Sequence, residues 1–436
     1  MKVMKFGGTS VGTAQRMKEV SKIIDDGEVN VIVLSAMSGT TNALVEISNY
    51  LYKKNHDAAN ESINKLEKKY YDVVLDLYET EEYKQKGTQL IKSHFEYIKQ
   101  FTKDVFTIFE ERAILGQGEL ISTALFHYFS LESGKKSVLL PALNFMRIDR
   151  DEEPDAIYIR ENITKEIAIY SDAELFITQG FICRNSYGDI DNLKRGGSDY
   201  SASLIGAALR VAEIQIWTDI DGFHNNDPRF VENTKPIRLL SFDEAAELAY
   251  FGAKILHPSS VLPAKVENIP VRLKNTLDPK AEGTLITNET SGGDIKAVAA
   301  KDGIIAIKIK SSRMLLAYGF MRKVFEIFEI YKTPVDMIAT SEIAVSLTID
   351  NTSHLEKILD ELKNYGSVEI DKDQCIICVV GDFIADKNGV ACKVFNALNE
   401  IPIRMIAYGG SKHNISILVS QSDKKNALNA LAKLFN

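Results

Sequence analysis

Cysteine and proline are scarce in this chain and tryptophan occurs once: 4 Cys, 10 Pro and 1 Trp among 436 residues, with no excess of positive charge to set against a formal net charge of −8. Four cysteines are too few for a disulfide-stapled scaffold, and only Cys375 and Cys378 have a redox-like or metal-like spacing. They lie in Gln374-Cys375-Ile376-Ile377-Cys378-Val379-Val380, an apolar run whose period of two sends them to opposite faces, so buried cysteine is the better reading and no metal is assigned. A pI near 5.6 offers no basic face for nucleic acid, so an anionic substrate must meet local positive charge. No apolar run approaches the roughly 20 residues of a membrane span, and no signal peptide is evident. A soluble, cytoplasmic chain without a membrane partner is expected. What is present suits cores of ordinary size: 45% hydrophobic residues, 26% charged, and length for two or three domains.

Two glycine-paired loops stand out. In Leu193-Lys194-Arg195-Gly196-Gly197-Ser198-Asp199, a loop turns into a helix, and the glycines let backbone approach a ligand. Ser198 or Asp199 can cap that helix. Free N–H groups and the positive end of the helix dipole favour phosphate there, while Arg195 offers a flat fork suited to a carboxylate. Alone, the stretch also reads as an ordinary Gly-Gly turn. The second loop follows the short strand Val3-Met4-Lys5-Phe6: Gly7-Gly8-Thr9-Ser10 leads into a helix from about Thr13 to Ile24. A lysine at a strand end beside Gly-Gly is placed as a point charge for polyphosphate. It is no Walker A motif, because the lysine due after Gly12 is missing, and Gly116-Gln117-Gly118 lacks the third glycine of a dinucleotide fingerprint.

Between these loops, Val29–Leu34 reads as a buried strand ending in the small-residue loop Ser35–Asn42. Residues 43–112 read as a helical insertion, with Leu66, Tyr70, Val73 and Val74 at helical spacing. The next helix, Glu111–Ser130, carries Glu119, either an exposed charge or a partner for a ligand ammonium. Further strands are expected at Ser137–Leu140 and Leu175–Ile182, and strands alternating with helices imply a mainly parallel sheet sandwiched by helices. Strand Ile214–Trp217 opens into Thr218–Arg229. There Asp219 or Asp221 can hold a ribose hydroxyl or a metal, His224 can stack on a base and Arg229 can reach phosphate, or the stretch is a polar turn. After the helix Asp243–Tyr250, Lys254 is a nucleotide contact or a helix C-terminal charge. From about Ile295 a repeat begins: Gly319–Phe325 corresponds to Gly389–Phe395, and Pro334–Ala339 to Pro402–Ala407, each followed by an alternating strand.

Taken together, Lys5-Phe-Gly-Gly-Thr-Ser10, Lys194-Arg-Gly-Gly-Ser-Asp199, Trp217-Thr-Asp219 with Asp227-Pro-Arg229, and Phe251-Gly-Ala-Lys-Ile-Leu-His-Pro258 closely resemble the motifs of aspartate kinases. The resemblance covers the whole chain and is nearest to the monofunctional, lysine-sensitive type. It implies an α/β amino-acid-kinase fold over 1–294 and an α+β, ferredoxin-like ACT repeat over 295–436, with copies near 304–370 and 374–436 that either follow one another or intertwine. No homoserine dehydrogenase domain is expected. Carried over by motif, Lys5, Gly7, Gly8, Ser10, Thr218, Asp219, His224, Arg229, Lys254 and Ile255 would line the ATP site. Thr41, Glu119, Arg195, Gly196, Gly197 and Ser198 would hold L-aspartate. Lys5 and Mg²⁺ would supply positive charge for the transfer itself, with Asp199 orienting Lys5 or the metal's water shell. Lys194 stands where glycine commonly precedes the arginine, and His224 where tyrosine is common. Met314, Gly319, Phe320, Asp336 and Ser341 would surround an effector, lysine first and threonine as the alternative, in a homodimer joined through ACT domains or a tetramer. Asp336 is the asymmetric position: after the shared proline the second copy carries Arg404. Rival readings are another amino-acid or carbamate kinase of this fold, and a non-catalytic amino-acid sensor.

Overall fold

The computed structural model describes residues 1–435 except 104, 194–195, 253–254, 290–291, 293–294, 312–317 and 383. The chain forms two compact units, Met1–Gly222 with Ile255–Asn288, and Phe223–Lys254 with Glu289–Asn436. In the first unit the strands are Lys2–Phe6 (β1), Asn30–Leu34 (β2), Ser137–Leu140 (β3), Leu175–Gln179 (β4), Ile182–Arg184 (β5), Ile190–Asn192 (β6) and Ile214–Thr218 (β7). After Leu239–Ser241 (β8) of the second unit come Val271–Asn275 (β9) and Thr284–Thr287 (β10). Seven of them lie side by side in the order β3-β4-β2-β1-β7-β9-β10. All the neighbours run parallel except β9 and β10. The central strands are apolar on both faces because helices cover both: β2 and β4 are buried at every position. Phe6 and Trp217 pair in register and stack at 5.6 Å beneath the site.

The helical stretch after β2 comprises Thr40–Tyr52, His56–Leu77, Glu81–Gln100 and Ile108–Leu115. Ile63, Leu66, Tyr70, Val74 and Leu77, spaced three and four apart, are buried in one core with Ile91, Phe95 and Ile98. Two elements depart from expectation. The helix foreseen over Glu111–Ser130 is broken at Gly116 into Ile108–Leu115 and Gln117–Glu132. The strand foreseen over Leu175–Ile182 stops at Gln179, because Phe181 takes a left-handed φ of 67° and turns the chain into the β5–β6 hairpin.

In the second unit, Ile295–Lys310 (β11), Ile338–Thr340 (β12), Ala344–Ile349 (β13), Ser367–Gly381 (β14), Ile403–Tyr408 (β15) and Asn414–Ser420 (β16) form one antiparallel sheet, β12-β13-β11-β14-β16-β15. The repeat is visible in the backbone: Gly319 and Gly389 open matching helices, Phe320–Ile330 and Val390–Ala397, from left-handed φ of 84° and 80°. β11 and β14 pair along their length and each serves both copies. Val298 of β11 packs with Cys375, Ile377 and Val379 of β14 in one core, while Ile305, Ile307 and Ile309 of β11 pack with Phe320 and Leu347 in the other. Cys375 and Cys378 are free and buried, and burial pushes the Cys375 thiol up to about 12. The segment 223–254 is held in this unit by Val298 N–H to the Asn225 carbonyl and by Asn226 Nδ2 to the Leu428 carbonyl.

Candidate active site

Loops at the carboxyl ends of β1 and β2 and the start of the helix Gly197–Leu209 surround a cleft of about 410 Å³ in the first unit. Gly8, Ser35, Ala36, Thr41, Glu119, Phe181, Gly197 and Ser198 line it. Gly8 is there for closeness: a Cβ would stand 2.8 Å from the Ala36 carbonyl oxygen, and the Ser38 N–H already donates to the Gly8 carbonyl at 3.0 Å. Gly196 is the N-cap of the helix with φ of 68°, and a Cβ would lie 2.7 Å from Ser260. The expected side-chain cap is therefore wrong. The helix starts at Gly197, so Ser198 and Asp199 fall inside its first turn and neither caps it.

Those two side chains are released for other work. The Asp199 carboxylate stands 2.6 Å from the Lys5 ammonium, with the two side chains only 16% and 12% exposed. Lys5 Nζ lies over the Gly7 backbone, 3.5 Å from where a Cβ would be. The Ser35 hydroxyl donates to Ser198 Oγ at 2.9 Å, and Ser122 Oγ donates to the Ser35 carbonyl, so the loop after β2 is tied to both helices.

Glu119 is buried at 4% exposure, which removes the exposed-charge reading. Its Oε1 accepts the Ala36 N–H at 3.2 Å, and its Oε2 is buried without a hydrogen-bond partner among the described residues. Burial raises its pKa to about 8, against the lowering effects of the Ala36 N–H and the nearby Lys5 charge. A carboxyl group in that state accepts a cationic ligand at a cost far below that of ionising unaided. Sequence reasoning missed Ser35 and Phe181 as lining residues. The only signal was that Ser35 ends a strand, and a left-handed phenylalanine carries none.

The other expected residues are dispersed. In the first unit Ser10 is buried and bonded to Thr276 Oγ1 at 2.7 Å, Thr218 Oγ1 donates to Asp219 Oδ1, Asp219 is exposed and Ile255 half-buried. In the second unit His224 Nδ1 meets Thr234 Oγ1 at 3.0 Å, and the Arg229 side chain, 76% exposed, is clamped to Asp227. Arg195, Lys254 and Met314 lie outside the described residues. Of the expected effector residues, Gly319 and Ser341 are exposed and Phe320 buried. Asp336 is far from open: its side chain is 1% exposed, and its Oδ1 accepts from Lys301 Nζ at 2.7 Å and the Tyr250 hydroxyl at 2.8 Å. Burial alone would lower the Lys301 pKa, but the Asp336 and Asp350 carboxylates hold it above its ordinary value. Glu244, Asp382 and His413 also converge in this unit, although Glu244 is committed to Lys296 and to the Ser241 N–H.

Residues 1–275 match the amino acid kinase family, and residues 377–435 match an ACT domain. The lysine-sensitive aspartokinase 3 of Escherichia coli is 34% identical over 98% of both chains, and the chloroplastic aspartokinase 3 of Arabidopsis thaliana is 34% identical over 99% of this chain and 81% of its own. This chain is an aspartokinase. As a member of that family it is a phosphotransferase with a carboxyl group as acceptor. The solved structures agree on the fold: E. coli aspartokinase III in complex with aspartate and ADP superposes with a TM-score of 0.85 at 31% identity over the whole of both chains. The aspartate kinase of Clostridium acetobutylicum does so with 0.85 at 27%. No helix among the described residues of this aspartokinase is long and apolar enough to cross a membrane.

Proposed function

We propose that this aspartokinase transfers the γ-phosphoryl group of ATP to the side-chain carboxylate of L-aspartate, giving 4-phospho-L-aspartate and ADP. The acceptor, with an ordinary pKa of about 3.9, is already ionised at neutral pH and needs no general base. One carboxylate oxygen bonds to the γ-phosphorus as the bond to the β–γ bridging oxygen breaks. The enzyme's work is to align two anions and neutralise their charge. Lys5, held by Asp199 over the Gly7-Gly8 turn, is the fixed positive charge for the transferring phosphoryl group. Arg195 clamps the substrate α-carboxylate, and Glu119 Oε2 receives its ammonium. Thr41, Gly196, Gly197 and Ser198 shape the aspartate pocket. Gly7, Gly8, Ser10, Thr218, Asp219, His224, Arg229, Lys254 and Ile255 belong to the nucleotide side.

The observation that carries this reading is the division of charge at the site: a lysine–aspartate pair at the glycine turn, and in the cleft a buried Glu119 oxygen with no hydrogen-bond partner among the described residues. A ligand with only negative groups would leave Glu119 unanswered, whereas an α-amino acid answers it. Mg²⁺ suits the first unit as a nucleotide-borne ion. The described residues there bring no three metal-ligating side chains together, and Mg²⁺ ordinarily keeps its waters and takes one or two carboxylates beside phosphate oxygens. Asp199 is the carboxylate at hand, and the ion would offset charge on the β- and γ-phosphates.

Domains at 1–294 and 295–436, a cytoplasmic homodimer joined through the ACT repeats, and feedback inhibition by lysine at Asp336 complete the reading. The lysine-sensitive relative supports the choice of effector. ADP release in the presence of aspartate, glutamate and N-acetylglutamate tests the function: aspartate alone should support turnover. Equal turnover with N-acetylglutamate, which has no ammonium, overturns the assignment of Glu119.

A further inference from the structure

Asp336 presents a puzzle to the reading just given, on which this inference rests: an effector's ammonium is to bind a carboxylate that already holds one. Lys301 Nζ stands 2.7 Å from Asp336 Oδ1, 2.9 Å from Asp350 Oδ2 and 4.5 Å from the centre of the Tyr250 ring. Asp336 Oδ2 is buried without a hydrogen-bond partner among the described residues. The two carboxylates are unequal, Asp336 withdrawn from water at 1% side-chain exposure and Asp350 at 39%. An ammonium that leaves Asp336 thus keeps a wetter partner in Asp350.

We propose that Lys301 is a built-in surrogate for the effector's ammonium, displaced from Asp336 toward Asp350 when lysine binds, and that Tyr250 reports the exchange. Tyr250 is the last residue of the helix Phe242–Tyr250, and its hydroxyl shares Asp336 Oδ1 with Lys301. Two residues on, Gly252 is pressed against β11: a Cβ there would stand 2.1 Å from the Ala300 carbonyl oxygen, next to Lys301 in sequence. The end of this helix is therefore tied to the Lys301 strand both by side chain and by backbone, and Lys254 follows four residues after Tyr250. Lysine inhibits to the extent that it binds better to the state in which Lys301 has let go. Tyr250 carries that state toward the stretch assigned to the nucleotide.

L-lysine titrated by calorimetry into the full-length parent, Lys301→Met, Lys301→Arg and Tyr250→Phe, with kinase inhibition measured on the same samples, tests the proposal. Lys301→Met should bind lysine roughly tenfold more tightly, because nothing has to be displaced. Lys301→Arg keeps the charge, adds a fork for two-point pairing and is the variant expected to fold in any case; it should bind lysine more weakly than the parent. Tyr250→Phe should bind lysine about as the parent does yet need several-fold more of it for half-inhibition. Unchanged affinity in either Lys301 variant overturns the surrogate, and unchanged inhibition of Tyr250→Phe overturns the relay. A parent that binds no lysine overturns the choice of effector and the surrogate with it, whereas a parent that binds lysine beside indifferent variants overturns the surrogate alone.

Discussion

Glu119 in the first unit and Asp336 in the second are both carboxylates withdrawn from water, and each keeps one oxygen without a hydrogen-bond partner among the described residues. Their other oxygens are treated in opposite ways. Among the described residues Glu119 has one backbone N–H and no ion pair, and burial leaves its pKa near 8; Asp336 has a lysine and a tyrosine hydroxyl. A buried charge without a partner is costly, and one already partnered is quiet until the partner is exchanged. The contrast separates a site that waits for its cation from one that carries a stand-in. The first suits a substrate that must enter and leave at every turnover, the second an effector that acts only when abundant.

The largest effect should come from Lys5, the cation paired with Asp199 at the glycine turn. Lys5→Ala is expected to lower kcat at least 10²- to 10³-fold, as loss of a preorganised charge at a transferring group does, with little change in thermal unfolding. A folded variant of near-parental kcat removes Lys5 from the chemistry. Next, Glu119→Gln should weaken aspartate by about 2 kcal/mol, roughly thirtyfold, while the KM for ATP stays within a few-fold. An equal loss for both substrates would mean that Glu119 shapes the cleft without touching aspartate. Arg195→Lys should raise the KM for aspartate roughly tenfold, because a point charge cannot reproduce a two-point clamp. Were only the KM for ATP to rise, the loop's division between the substrates would be wrong.

The smallest effect is on stability, and its sign is the informative part. Glu119 has a folded-state pKa raised above its ordinary value of 4.5, so the folded protein holds that proton more tightly than the unfolded chain. Stability is then lost as pH rises from about 4.5 toward 8, where the group ionises without a partner. Glu119→Gln should therefore melt a few degrees above the parent at pH 8 and no higher than it near pH 4.5. A stabilising substitution that costs substrate affinity is the usual mark of a functional site.

Much of this was legible in the chain because it was local. Strand β1, the Gly7-Gly8 turn and the helix after it follow from the order of apolar and glycine residues, with the helix starting at Ala14 and Thr13 as its cap. The helical insertion showed in the spacing of Leu66, Tyr70, Val73 and Val74. What escaped depends on distant partners. That Asp199 does not cap its own helix is decided by Gly196 taking the cap position, and its pairing with Lys5, 194 residues away in sequence, was expected only from the resemblance to aspartate kinases. Glu119 looked solvent-exposed or ligand-bound because helical spacing alone does not say which face the Ala36 loop will cover. The clustering of 223–254 with the second unit rests on partners far along the chain, among them Glu244 with Lys296, Asn226 with the Leu428 carbonyl and Val231 in the core around Ile377, invisible to any window of sequence.

The central claim is that a buried, protonated Glu119 ionises to meet the ammonium of aspartate, and proton release on binding tests it most directly. Aspartate titrated at pH 7 in two buffers of different ionisation enthalpy should release roughly one proton per site from the parent, since Glu119 with a pKa near 8 is largely protonated before binding and ionised after it. Glu119→Gln should release close to none. Aspartate binding whose heat is the same in both buffers for the parent would contradict the account.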